Sequence, residues 1–307
     1  MMLDYHTGLD KLGLKIEFDN AVEQREILDE LSEYILKKYK SVYFKEKKGL
    51  FFNKYYFYHN RKTIFGIVTG CYKKKNPKAS GYYLQYYINI TFSGLRRYDE
   101  KLDEITKDVL YSVYAFLHTK EILYTNTAAD IYLDIKAPLK NIVSLCVKKA
   151  PSVKYNKPNE EQEKININYV EKVSPTNYNK TALRGYWYNK GKRAKLKYNL
   201  TRFELKLQPK YFYRYGFSLE AMEKALDRYY VLFFQNIDEK QQKIDKYSNY
   251  KYVAKRELKK LEFDKYKLKF DITAITKFLN WLDGAYDEEL LLTNDKEEDV
   301  LFEDKWF

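Results

Sequence analysis

Apolar and polar residues alternate with a period of two in four stretches of the chain, the pattern of strands that turn one face to a core and the other to solvent. In Lys11–Phe18, Leu12, Leu14, Ile16 and Phe18 oppose Lys15 and Glu17. In Tyr83–Phe92, Leu84, Tyr86, Ile88, Ile90 and Phe92 oppose Gln85, Tyr87, Asn89 and Thr91. In Asp130–Ala137, Ile131, Leu133 and Ile135 oppose Asp130, Tyr132, Asp134 and Lys136. In Leu200–Leu207, Phe203, Leu205 and Leu207 oppose Arg202, Glu204 and Lys206. Further strands are expected at Leu50–Tyr58, Lys62–Tyr72 and Leu183–Lys190. Together they predict a half-exposed antiparallel sheet.

Between the strands the period changes to 3.6, with a start signal before each run. Asn20 and Glu23 form a capping box ahead of Ile27, Leu28, Leu31 and Ile35, and Asp99 precedes Leu102, Ile105, Val109, Val113 and Leu117. Pro138 before Ile142, Val143 and Leu145 predicts a third helix, and Ser218 before Leu219, Met222, Ala225 and Leu226 a fourth. Strand, helix, strands, helix occurs twice, starting near residues 11 and 129, which implies two similar halves. The expected fold is therefore α+β: a curved antiparallel sheet from two similar halves, helices on one face, and a helical C-terminal segment. The divisions are 1–120, the first half; 121–235, the second and catalytic half; 236–285, helical; and 286–307, an acidic tail. Residues 152–181, with Pro158 and Pro175, read as a strand-poor insertion. The last helix should start at Asp271 and stop at Gly284, and Asp287–Asp304 carries nine acidic residues against Lys296.

Composition adds a partner class. A net charge of +13 over 307 residues favours a polyanion, because neutralising phosphates releases their condensed counterions. AT-rich codons would raise lysine and the 33 tyrosines together, so charge by itself does not identify the ligand. The two cysteines, Cys71 and Cys146, sit in apolar patterns and suit a reducing compartment. With no basic segment leading into an apolar leader, and no apolar run near the roughly 18 residues of a membrane span, a cytoplasmic, membrane-free protein is expected.

The chemistry is narrowed by what is missing from the sequence. Only His6, His59 and His118 occur, no two of them two residues apart, so a His-x-His metal pair is unavailable. Walker, GxGxxG, GxSxG and zinc-spaced Cys/His patterns are absent as well. What remains are carboxylates and tyrosines on strand faces: Asp130, Asp134 and Glu204, with Tyr186 and Tyr188 in Tyr186-Trp187-Tyr188-Asn189-Lys190. Such carboxylates suit Mg²⁺ or Mn²⁺. Asp130 and Asp134 are roughly 13 Å apart along a strand, too far to grip one ion together, so one of them with Glu204 on a strand about 5 Å away is the feasible pair. The alternative is that all are ordinary solvated charges. Basic residues placed to meet phosphates are Lys73, Lys74, Lys75, Arg96, Arg97, Lys192, Arg193, Lys195, Arg202, Lys206 and Lys210.

Read together, these segments resemble a known family. LTRFELKLQPKYFYRYGFSLEAMEKAL at 200–226 is similar to the Arg-Phe-Glu strand, basic-aromatic turn and helix of the replication-initiator endonuclease of filamentous bacteriophages. AADIYLDIKAP resembles that family's aspartate strand ending in Ala-Pro, GYWYNKGK its tyrosine-x-lysine strand, and LDKLGLKIEF its first strand. ITFSGLRRYD resembles the Ser-Gly turn of related plasmid rolling-circle replication initiators. The resemblance spans residues 8–230, with Ala128 standing where the family has arginine. It implies a metal-assisted DNA nicking-joining endonuclease whose tyrosine attacks a DNA phosphate, leaving a 5′-phosphotyrosine and a free 3′-hydroxyl.

By position the resemblance makes Tyr188 the nucleophile, Lys190 its basic neighbour, and Asp130 and Glu204 the metal carboxylates. Tyr186 shares the strand face of Tyr188 and remains an alternative nucleophile. A phenol ionises near 10, so attack at neutral pH needs a nearby cation or base, and Lys190 would lie about 6.6 Å along the face. Expected partners are double-stranded origin DNA and single-stranded DNA, with a host helicase or polymerase and a second copy of the chain as candidates. The rival reading is a non-enzymatic DNA- or RNA-binding regulator that uses the basic sheet face. The two are separated by whether Tyr188, Asp130 and Glu204 converge.

Overall fold

The computed structural model describes residues 3–50, 52–76, 80–147, 152–155, 168–169, 182–244, 253–254 and 263–284. The architecture is α+β, with a large antiparallel sheet and several helices. The chain forms two compact units, Leu9–Ala129 with Lys277–Phe307, and Met1–Gly8 with Asp130–Thr276. No helix among the described residues is long and apolar enough to cross a membrane.

In the first unit the strands are β1 (Tyr5–Phe18, from Leu9 onward), β2 (Val42–Lys47), β3 (Phe52–His59), β4 (Lys62–Lys75) and β5 (Tyr82–Ser93), with α1 (Ala21–Lys38) and α2 (Glu100–Thr119). Their order across the sheet is β2-β3-β4-β5-β1. The register sets Phe65, Phe92 and Leu12 in one row and Ile67, Ile90 and Leu14 in the next. These rows are buried, as are Leu28, Leu31 and Ile35 of α1 and Val109, Val113 and Leu117 of α2. The start signals act as expected: Asn20 accepts a hydrogen bond from the Glu23 amide at 2.8 Å, and Asp99 from the Leu102 amide at 3.0 Å. Strand β2 was not anticipated, because its polar run Lys45-Glu46-Lys47 hides the alternation.

In the second unit β6 (Thr125–Ile135, from Asp130 onward) lies beside β11 (Thr201–Leu207), followed by β10 (Leu183–Asn189) and β9 (Asn168–Tyr169). A second sheet has the order β12-β7-β8-β13, built from β7 (Ile142–Val147), β8 (Ser152–Tyr155), β12 (Tyr229–Phe233) and β13 (Val253–Ala254). Here the expectation of a helix after Pro138 fails. A single 3₁₀ turn, Leu139–Asn141, leads straight into β7, which pairs Ile142 with Phe233 and Val143 with Leu232. Ile142-Val143 are β-branched in a short apolar run whose period is ambiguous, and tertiary pairing decides the outcome. Within the loop or strand-poor insertion at 152–181, the described residues are the two short strands β8 and β9. The rest of that insertion lies outside the described residues, as does the acidic tail.

Short helices complete this unit: α3 (Lys190–Ala194), α4 (Pro209–Tyr215), α5 (Leu219–Leu226, capped by Ser218) and α6 (Ile237–Ile244). The last helix is α7 (Thr273–Gly284), and Asp271 accepts from the Thr273 amide at 3.0 Å. The two sheets of the unit meet where Gly185 admits the ring of buried Tyr229. A β-carbon at Gly185 would stand 2.5 Å from Tyr229 Cε1 and 2.9 Å from Cδ1, too close for any side chain. Gly185→Ala is therefore expected to lower stability by about 1–3 kcal/mol, the usual cost of overpacking, seen as a fall in the denaturation midpoint at unchanged m-value.

Candidate active site

Strands β6, β11 and β10 bring their even-numbered side chains to one face. The β10–β11 register sets Tyr186 opposite Glu204, Tyr188 opposite Arg202, and Arg184 opposite Lys206. On β6, Asp134 meets Arg202 and Asp130 meets Lys206. The half-exposed sheet anticipated here is not what forms. Asp130, Asp134, Arg184, Tyr186, Tyr188, Arg202 and Glu204 are all buried. Buried polar groups persist only when bonded to one another, and the sequence supplies partners at matching positions.

Glu204 is the centre of the arrangement. Tyr186 donates its hydroxyl proton to Glu204 Oε1, and Tyr188 donates to Oε2 at 3.0 Å. The two phenol rings stack, with centroids 5.8 Å apart and planes 15° from parallel. Burial, then the Glu204 charge and its hydrogen bond, and then the Asp130 charge, push the Tyr186 phenol well above its ordinary value. Asp130 therefore acts electrostatically on the same tyrosine that Glu204 holds. Cations flank the pair: Lys206 Nζ lies 5.3 Å from the Tyr186 ring centroid, and the Arg193 guanidinium 5.3 Å from that of Tyr188. Lys206 Nζ is also 3.7 Å from Asp130 Oδ2.

Asp134 has a different role. Arg202 grips it from two nitrogens, at 2.6 and 2.8 Å, and the guanidinium covers the Tyr132 ring at 4.3 Å. Tyr132 in turn shares a 2.9 Å hydrogen bond with His6 Nδ1. Both Asp134 oxygens accept from Arg202, so the carboxylate expected to hold a metal and the guanidinium expected to meet DNA are paired with each other. Among the described residues no three His, Cys, Asp or Glu side chains are grouped closely enough to hold an ion. Mg²⁺ nevertheless binds through one or two carboxylates, its shell completed by water and phosphate. Asp130 and Glu204 are carboxylates of the kind such an ion uses, and Glu204 accepts from both phenols as Asp134 does from Arg202.

Two further residues are placed differently from expectation. Lys190 is not on the strand: Asn189 caps α3 by accepting from the Lys192 amide at 2.8 Å, and Lys190 is the first residue of that helix. Its predicted spacing along the strand face from Tyr188 does not apply, and Arg193, one turn later, is the cation over Tyr188. Arg97 serves the fold, donating to the carbonyls of Thr63 at 2.7 Å and Ser93 at 3.0 Å. Lys73, Lys74, Lys75, Lys192, Arg193, Lys195 and Lys210 are exposed, whereas Arg96 and Lys206 are half-buried. Sequence reasoning did not anticipate His6, Tyr132 and Arg184. The alternation Arg184-x-Tyr186-x-Tyr188 was a readable signal for the last.

No protein-family model matches the chain, and no curated protein does. Among solved structures the chain is similar to a rolling circle replication initiator protein from Geobacillus stearothermophilus, at 14% identity over 76% of this chain and 91% of that one, with a TM-score of 0.39.

Proposed function

We propose that this protein starts rolling-circle DNA replication by nicking and rejoining one strand through a tyrosine of β10, with Tyr188 as the nucleophile. The observation that carries the reading is the shared carboxylate: two stacked phenols, each bonded to one oxygen of Glu204, with the Asp130 charge acting on Tyr186. The motif resemblance assigns these same positions. A regulator that only binds nucleic acid has no need to bury two phenols on one carboxylate.

In the proposed step the Tyr188 oxygen attacks phosphorus, a tyrosine O–P bond forms, and the bond from phosphorus to the 3′-oxygen breaks with its electron pair on that oxygen. The phenol proton passes to Glu204, which already accepts it in a hydrogen bond, and the leaving 3′-oxygen takes a proton from water to become the hydroxyl. Asp130 and Glu204 are the residues that would hold Mg²⁺ or Mn²⁺. Bound there, the ion would offset the negative charge of the carboxylates and the phosphate. Arg193 and Lys206, each 5.3 Å from the ring centroid of Tyr188 and Tyr186 respectively, would place positive charge beside the incoming phosphate, and the Asp134–Arg202 pair ties β11 to β6. Reversal of the attack by a 3′-hydroxyl rejoins the strand.

The test is incubation with supercoiled DNA carrying the protein's own origin and Mn²⁺, followed by denaturing electrophoresis. A covalent protein–DNA band is expected; tight binding without any adduct would favour the non-enzymatic reading. If about six phosphates are met by Lys192, Arg193, Lys195, Lys197, Lys210 and Arg214, affinity should fall roughly 10³-fold between 50 and 200 mM salt. A flat response in a filter-binding titration would remove the phosphate contacts from the proposal.

A further inference from the structure

On the first unit the sheet face opposite α1 and α2 is paved with tyrosines and lysines. The registers gather Tyr43, Lys45 and Lys47 of β2, Phe52, Lys54, Tyr56 and Tyr58 of β3, and Gly66, Val68, Gly70, Tyr72 and Lys74 of β4 onto it. Tyr83, Gln85, Tyr87 and Asn89 of β5, with Lys15 and Glu17 of β1, complete the face. Five lysines there stand against the single carboxylate of Glu17. Burial opposes ionisation of that carboxyl, but hydrogen bonds from Lys15 and Tyr72, with the charges of Lys15 and Lys74, hold it down at about 2. It stays charged and tethers its neighbours.

The aromatic rings do not fill a core. Tyr43 is 38% exposed and Phe52 43%, and Tyr56, Tyr58, Tyr72 and Tyr87 are half-buried. Two glycines let rings lie flat on the sheet. A β-carbon at Gly70 would stand 2.7 Å from the Tyr87 hydroxyl oxygen and 3.0 Å from Cζ, and one at Gly66 would touch Tyr56 Cδ1 at 3.4 Å. Glycine weakens a strand interior, and at these two positions the room it leaves is taken by a tyrosine ring. Tyr43 stacks on Tyr58 at 5.4 Å, with Lys45 Nζ 5.9 Å from the Tyr58 centroid and Lys54 Nζ 5.0 Å from that of Phe52.

We infer that this face is a binding platform for single-stranded DNA, with bases stacked on Tyr56, Tyr58 and Tyr87 and phosphates met by Lys45, Lys47 and Lys54. Flat aromatic faces interleaved with lysines are what unpaired bases and their backbone require, because every base has a π-face and a duplex hides it. The surface itself stands on the registers and exposures, and only the choice of DNA over RNA rests on the proposed function. It would give the nicked strand a second hold, on the unit that does not carry the tyrosine site.

The experiment titrates the full chain into a fluorescein-labelled 16-nucleotide oligo(dT), read by anisotropy, with oligo(U) and a hairpin duplex as comparisons. Tyr58→Leu and Tyr56→Leu keep apolar bulk but remove the π-face, and each should weaken oligo(dT) binding about ten-fold. Gly70→Ala, which must lift the Tyr87 ring, should weaken it several-fold, while Val22→Ala, on the exposed side of α1, should leave it unchanged. Photocrosslinking of a 5-bromodeoxyuridine oligomer should label β2, β3 or β5. Unchanged affinity in both leucine variants, crosslinks confined to β10 and β11, tighter binding of oligo(U), or a chain dimer that only these variants dissolve would each overturn the inference. Loss of adduct formation with oligo(dT) binding intact would sink the nickase reading alone.

Discussion

Tyr188→Phe is expected to bind origin DNA as the parent does and to form no covalent adduct, a loss on the order of 10⁴-fold or more, since only the attacking oxygen is gone. Tyr186→Phe is the matched control. Each substitution takes one hydroxyl donor from Glu204, at 3.0 Å for Tyr188, so each should cost similar stability, about 1–3 kcal/mol, and that shared cost cancels in the comparison. If Tyr186→Phe abolishes the adduct and Tyr188→Phe keeps it, the nucleophile is the other phenol of the stack. Two fully active variants would end the tyrosine mechanism. Glu204→Gln adds a separate readout. Glu204 pushes the Tyr186 phenol upward through its charge, second only to burial, so removing that charge should bring the pKa of that phenol down and weaken metal affinity. Residual activity should then recover in part at high Mn²⁺.

The second large effect falls on stability. Arg202→Ala should destabilise the fold by about 3–5 kcal/mol, because Asp134 would be left charged and buried without the guanidinium that grips it from two nitrogens. Asp134→Ala should cost about as much from the other side. The double variant Asp134→Leu with Arg202→Met should recover most of the loss, since a buried ion pair gains little over well-packed apolar side chains of similar volume. Urea denaturation reads all of these. Singles within 1 kcal/mol of the parent would mean that the pair does not hold β11 against β6. Metal binding by the folded fraction of Asp134→Ala should be unaffected, which distinguishes this residue from Asp130.

The amino-acid sequence alone determined the strands whose two faces differ in polarity. Leu12, Leu14 and Ile16 are in the core, Ile88 and Ile90 pair across from them, and Asn20, Asp99 and Ser218 cap their helices because each signal is local. It also placed Tyr186, Tyr188, Asp130 and Glu204 on strands, and period-two alternation then required even-numbered neighbours to share a face. What it could not decide was anything dependent on the adjacent strand. Ile142–Val147 carries a pattern that serves helix or strand equally, and pairing with β12 settled it. Lys190 left the strand because Asn189 found the Lys192 amide to cap. Asp130 and Asp134 look alike along the chain, but register alone gave one to Lys206 and the other to Arg202, and laid both tyrosines on Glu204. A side chain's type and its face are written in its own segment, whereas its partner is set by which strand lies about 5 Å away, and only the tertiary fold makes that choice.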